Sequence, residues 1–483
     1  MKLPYPTRVP IFYAMSFAAV LFMVELVEGT PIGLCVTVMA YIFVATLTFN
    51  EAGGLNYPSG GYVFFNVLLT VLLGLVTKAV LGEAVQSNVF NAQKTMLVYL
   101  IGQIAMMVAI FATRRATSAK GLLEGVLTNA PIGQVGFGCL LLGVVPAYLL
   151  TGGIATAFAQ LNYFVIIAIL IPVYVRVVRS GGEKSFNVPS FVAWAFFTVV
   201  WGLFVFSKFG IFAPSTAWII ACAAGGYRIS IARAAILAGV AAVAFAVLTP
   251  YSQVGRGTLG SDRYATAGAA VWDLLTHPLR TREFYYASLA NDSLVANFGY
   301  YHWFDQPQGI LDRLNMFAVD DALIHITDNG ETGSLAAVWS YFPNAVPRFL
   351  YPSKPNIHWG NVYGIKLGML ATEDETTGIS FSPFADAYHT GQWIGVTLVM
   401  TLMMVLCFTV MDSITGPIAR SPWGLFFIFS CAHFAPEGML GALVILPTAT
   451  SLGLVMVAYM SVKAAPIIGG LVSTPEKRLL RRT

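Results

Sequence analysis

Long apolar runs joined by short polar links make up most of the chain. Runs long enough to cross about 30 Å of hydrocarbon at about 1.5 Å per helical residue fall at 9–26, 31–49, 61–80, 95–113, 133–150 and 158–176, then at 190–207, 213–226 and 233–249. After one long hydrophilic interval three more follow at 393–411, 422–436 and 441–461, the runs at 213–226 and 422–436 being the shortest. The pattern predicts an all-α polytopic membrane protein of about twelve transmembrane helices with one large, partly helical external loop. The first run ends in Glu25 and Glu28 with no small-residue cleavage signature, so it reads as a retained helix.

Basic residues between the runs set the expected orientation, because Lys and Arg collect on the cytoplasmic side. Lys2 and Arg8 precede the first run, Arg114, Arg115 and Lys120 follow the fourth, and Arg176, Arg179 and Lys184 follow the sixth. Arg228 and Arg233, Arg420, and the terminal Lys477, Arg478, Arg481 and Arg482 fall on that same side if twelve helices cross. Both termini are then cytoplasmic, in a cytoplasmic (inner) membrane. The chain divides into an N-terminal bundle (1–249), an outward loop (250–392), C-terminal membrane helices (393–461) and a basic tail (462–483).

Composition excludes a soluble globule. Hydrophobic residues make up 57% and charged residues 10%, against roughly a quarter charged in a soluble domain. The net charge of +4 comes from membrane-flanking residues and carries no nucleic-acid footprint. All five cysteines lie in or beside apolar runs, so neither a disulfide framework nor a thiolate metal site is expected. The 250–392 interval differs in kind: it holds 8 of the 27 Lys and Arg, 14 of the 23 Asp and Glu, and 5 of the 6 His.

Within that interval Thr281–Tyr301 is expected to be helical, with Thr281 as its N-cap. A second helix is expected over Pro307–Thr327, closed by Asn329-Gly330. On the second, Ile310, Leu311, Leu314 and Phe317 form one apolar stripe, with Asp321 in its middle and His325 a turn further. A carboxylate on a buried face needs a partner, and Arg313 and His325 are the expected ones. No spacing of His, Cys, Asp or Glu suggests a metal site.

The run from Val346 to Gly395 carries the candidate chemistry. Arg348, Lys354 and His358 fall on a Pro-punctuated stretch, and Asp386 and His389 stand just before the next apolar run. If that stretch is already helical, Asp386 and His389 share one face, although an acid there equally suits a helix start. Pro347-Arg348-Phe349-Leu350-Tyr351-Pro352-Ser353-Lys354-Pro355, then Ser380-Phe381-Ser382-Pro383, Asp386-Ala387-Tyr388, Gly391 and Gly395, resemble the corresponding segment of Wzy-type polymerases of oligosaccharide repeat units. The likeness covers about fifty residues. The chain departs from the pattern in having Asp386 in place of Glu, and His389 where a plain polar residue such as Asn is usual.

That resemblance implies a membrane glycosyltransferase joining two polyprenyl-diphosphate-linked oligosaccharides. An acceptor hydroxyl attacks the donor's anomeric carbon, and polyprenyl diphosphate leaves. No cofactor or metal is implied; the partners are the lipid-linked substrate, membrane lipid and, for some such enzymes, a chain-length-regulating membrane protein. A leaving diphosphate calls for fixed cations, and Arg binds phosphate as a planar fork. Arg313, Arg348 and Lys354 are therefore the expected diphosphate ligands, Asp386 and then His389 the candidate bases, and Asp321 and His325 supporting groups. O-antigen ligases share the architecture and the reaction type. A twelve-helix secondary transporter is the alternative of another class, disfavoured by the scarcity of charge in the middle of the runs. A reporter fused after residue 330 is expected to be active on the outer side only; cytoplasmic activity would overturn the orientation.

Overall fold

The structure, a computed structural model, describes residues 1–117, 120–127, 130–149, 159–257, 263–291, 302–306, 308, 311–346, 351, 353–354, 358–375 and 377–471. Among these residues the only β pairing is two isolated bridges, Lys2 with Arg228 and Phe381 with Gly438. In chain order the helices are α1 (Ile11–Val27), α2 (Ile32–Glu51), α3 (Pro58–Leu81), α4 (Ala92–Ala116), α5 (Ile132–Leu149), α6 (Tyr163–Arg179), α7 (Val188–Leu203), α8 (Lys208–Gly225) and α9 (Ile231–Gly257). Then come α10 (Arg263–Thr276), α11 (Arg280–Asn291), α12 (Phe317–Asp328), α13 (Leu335–Ala345), α14 (Trp359–Lys366), α15 (Pro383–Thr415), α16 (Gly424–Glu437) and α17 (Met439–Lys463).

Each of the twelve apolar runs overlaps a helix. Among the described residues seven helices are long and apolar enough to cross a membrane: Ile32–Asn56, Pro58–Leu81, Ala92–Ala116, Lys208–Gly225, Ile231–Gly255, Pro383–Thr415 and Met439–Lys463. Ile11–Val27, Ile132–Pro146 and Val188–Leu203 are shorter apolar helices. The chain is a helical, multi-pass membrane protein by these properties.

Packing divides the chain along a different line from the sequence order. One unit comprises Met1–Tyr5, Gly125–Val295 and Gly453–Thr483; the other comprises Pro6–Glu124 and Ala296–Leu452. In the first, Phe206, Ile211, Val247, Tyr251, Ala267 and Leu274 form a core. The N-terminal part of α9 is almost wholly exposed, and its later residues Val247 and Tyr251 join that core.

The second unit brings α1–α4 together with α12–α16. Here α4 starts on Asn91, whose side chain accepts from the Lys94 amide, and α15 starts on Ser382, which accepts from the Ala385 amide with Pro383 behind it. The first turn of α15 lies close against α4 because Gly102 has no side chain; a Cβ there would come within 2.5 Å of the Phe384 ring. Eight residues into α15 the helix breaks at Gly391 and Gln392, the latter at φ 47°, then resumes through a π-helical turn at Gly395–Val399.

Two expected helices differ. The first begins at Arg280, so Thr281 lies inside it, and 292–301 is outside the described residues. In place of Pro307–Thr327 there is a 3₁₀ turn at Leu311–Arg313 and then α12. The chain leaves helical geometry between them because the Met316 amide donates to Thr70 O of α3 and Asn315 turns back to Leu311 O. The close of α12 at Asn329-Gly330 uses a positive φ at Gly330 (99°) and a Glu331 amide bonded to Ile326 O.

At the far end of α4 and α15 a buried carboxylate joins three helices. Asp412 accepts from the Ser59 amide (3.0 Å) and hydroxyl (2.6 Å) at the start of α3, and pairs with Arg114 of α4 at 3.2 Å. Asp412→Ala leaves an uncompensated cation and bare amide there, a loss of about 3 kcal/mol. A fall in the thermal midpoint of the detergent-purified protein checks it, with Asp412→Asn falling less.

Candidate functional site

The opposite end of this unit contains Asp386 and His389. Both are on the first two turns of α15 and both are fully buried. Helical geometry from Pro383 onward, ahead of the apolar run, is what carries them inside. The N-cap is Ser382, so Asp386 does not cap its own helix.

The Asp386 carboxylate instead accepts from three other elements. Oδ2 takes the Tyr341 hydroxyl (2.8 Å) from α13 and the Leu440 amide (2.8 Å) at the start of α17; Oδ1 takes the Tyr363 hydroxyl (3.0 Å) from α14. Thr390, a turn further along α15, adds a longer contact at 3.4 Å. Met439 sits at φ 52°, an uncommon conformation for a non-glycine residue, and the next residue presents its amide to Asp386. Burial, and secondarily the adjacent carboxylate, raises the Tyr341 and Tyr363 phenols above the ordinary tyrosine range, which keeps them as donors.

α12 supplies the next layer. Asp320 accepts from the Ser382 amide (3.0 Å) and from Tyr99 of α4 (2.6 Å). Asp321 accepts from the Phe90 amide (2.5 Å), the Asn91 amide (3.1 Å) and the Thr95 hydroxyl (2.7 Å), at the start of α4. The expected bond to His325 is not made, the donors being two backbone amides and the Thr95 hydroxyl, and the Arg313 side chain lies outside the described residues. His325 stacks on Phe90 at 4.3 Å and meets Asn329 through Nε2, contributing only a secondary charge effect on Asp321. Among the described residues none of Asp320, Asp321 and Asp386 forms an ion pair.

Farther along α12, Thr327 meets His389 Nδ1 at 2.8 Å, and Asp328 accepts from Tyr388 (2.6 Å) and pairs with Lys94 (3.4 Å). Lys94 lies over the Tyr388 and Trp393 rings at 5.2 and 5.0 Å. His389 Nε2 is shut off from solvent and has no partner among the described residues.

Of the expected diphosphate ligands, Arg348 and the Arg313 side chain lie outside the described residues, and Lys354 Nζ donates to Val346 O at 2.9 Å. The aromatic residues of this region divide by role: Trp303 is core, stacked on Phe317 at 4.2 Å, Tyr341 and Tyr363 serve Asp386, and Trp339 is exposed. Asp320, Thr327 and Lys94 were not marked by any sequence signal, since each meets its partner across more than sixty residues of chain. An apolar groove of about 300 Å³ between α1, α2 and α3, lined by Tyr13, Phe17, Phe49 and Phe64 among others, shares no residue with this site. Among the described residues no group of three His, Cys, Asp or Glu is arranged to hold a metal.

Burial pushes the Asp320 carboxyl up from 3.8 to about 7, against the lowering effect of its Ser382 and Tyr99 bonds. A carboxyl whose pKa is higher folded than unfolded holds its proton more tightly in the native state. Its stabilisation is complete below about pH 4 and is lost as the pH rises through about 7. Thermal midpoints across that range should fall with rising pH, and Asp320→Asn should flatten the fall.

The sequence matches no protein-family model, and neither a curated protein nor a solved structure is significantly similar to it.

Proposed function

We propose that this membrane protein is a Wzy-type glycosyltransferase that joins polyprenyl-diphosphate-linked oligosaccharide units. In this reading twelve helices cross the membrane, both termini are cytoplasmic, and the Asp386 end of the second unit faces outward. The basic residues that flank the helices support that orientation.

One observation carries the reading. The cation-bearing motif, from Val346 to His358, lies between α13 and α14, and each of those helices donates a tyrosine hydroxyl to Asp386. On this reading the helices that flank the proposed phosphate-binding segment both donate to the carboxylate of the same motif. The buried His389 stands one turn away.

The roles then separate. Asp386 already accepts from two tyrosines and a helix-start amide, which take three of its roughly four lone-pair sites, and it serves as the anchor. His389, whose Nε2 has no partner among the described residues, takes the proton of the acceptor hydroxyl, a contribution typically worth about 10²- to 10⁴-fold. Arg348, Arg313 and Lys354 stabilise charge on the departing diphosphate.

Deletion of the gene should leave single-repeat material on the surface without long chains. Arg348→Ala and Arg313→Ala should each abolish long polymer at normal expression, read by sizing the surface polysaccharide. Normal chain lengths in both would refute the diphosphate clamp. Accumulation of unlinked, full-length polymer would favour a ligase.

A further inference from the structure

We infer that Thr327 is a positioning residue that fixes the tautomer of His389 and so leaves Nε2 as a bare acceptor. This rests on the reading of His389 as the base. The observation is a count of hydrogens. Thr327 Oγ1 lies 2.6 Å from Leu323 O, one turn back on α12, and 2.8 Å from His389 Nδ1. A carbonyl oxygen cannot donate, and two oxygens at 2.6 Å attract only with a hydrogen between them. The single hydroxyl hydrogen of Thr327 is therefore committed to Leu323.

His389 Nδ1 must then be the donor, giving its N–H to a Thr327 lone pair. In a neutral imidazole the proton on Nδ1 empties Nε2. The surroundings disfavour a second proton. Burial of the ring comes first and Lys366 of α14 adds positive charge nearby, while Tyr363 of the same helix meets the ring edge-on, with centroids 4.7 Å apart. Asp386 is occupied by its own donors, Asp320 by Ser382 and Tyr99, and Asp328 by Tyr388 and Lys94. Gly333 closes over the ring edge from the loop after α12, its amide bonded to His389 O at 2.8 Å.

The consequence is a defined proton path. As the acceptor oxygen bonds to the anomeric carbon, its proton passes to Nε2. The bond from that carbon to the phosphate oxygen breaks, and its electron pair leaves with the diphosphate. The resulting imidazolium keeps its Nδ1–H on Thr327. With the proton on Nε2 instead, the ring would offer no lone pair to the hydroxyl. Thr327 would thus act on rate through His389 without touching substrate.

Nitrogen-15 NMR of the histidine-labelled full chain, with the His389 signals identified by subtraction of a His389→Asn spectrum, tests this. Wild type should show a protonated Nδ1 and a bare Nε2. Thr327→Val, which removes the acceptor but keeps the shape, should move protonation toward Nε2, and Thr327→Ser should restore the wild-type pattern. A wild-type Nε2–H, or an unchanged tautomer in Thr327→Val, would overturn the inference. The wild-type spectrum decides alone if the valine variant does not fold. Polymer synthesis separates the two levels: it should fall about 10²-fold or more in Thr327→Val and recover in Thr327→Ser. A shifted tautomer with undiminished polymer would refute His389 as the base while the tautomer assignment stood.

Discussion

The second unit depends on buried carboxylates placed at the amino ends of helices. Asp321 sits at the start of α4, Asp320 at the N-cap amide of α15, Asp386 at the start of α17, and Asp412 at the start of α3. A helix start exposes amides with no intrahelical acceptor and carries partial positive charge. Each acid satisfies those amides, and they offset part of the cost of taking the acid out of water. Among the described residues Asp412 alone of the four adds a cation, Arg114. In apolar surroundings neither group could be left alone, so the interaction fixes which helices can be neighbours.

This constraint orders the candidate site as well. α12 is a short strut whose consecutive acids face two different helix starts, so its register fixes α4 against α15. That fixes Thr327 opposite His389. Asp386 in turn ties α13, α14 and α17 to α15, and with them the ends of the segment that carries Arg348. Positive φ at Gln392 and Met439, on either side of this network, is backbone strain of the kind that over-determined sites retain. In the proposed reaction the acid therefore organises the binding segment, and the histidine carries the proton.

The helical, membrane-spanning character was legible from apolar periodicity, because run length and the need to satisfy backbone groups in lipid leave few alternatives. So was the end of α12 at Asn329-Gly330, a local stop signal. Asp386 and His389 could be marked from the short motif that contains them. Their burial could not, since it follows from α15 beginning at Pro383 instead of at the apolar run near Ile394. The length of α12 was misread because its start depends on Thr70 of α3, far away in the chain.

The sequence by itself determined that the chain is a helical, multi-pass membrane protein, where polar residues concentrate, and that Asp386 and His389 stand a turn apart. Only the tertiary structure decided what those groups do. Asp321 looked like a partner of its helix neighbour His325, and accepts from the amides of Phe90 and Asn91. Asp386 does not cap its own helix, and accepts from the Leu440 amide at the start of α17 and from two tyrosine hydroxyls. Helix starts offer strong donors that no periodicity reveals, and a buried acid takes whichever of them packing brings within reach.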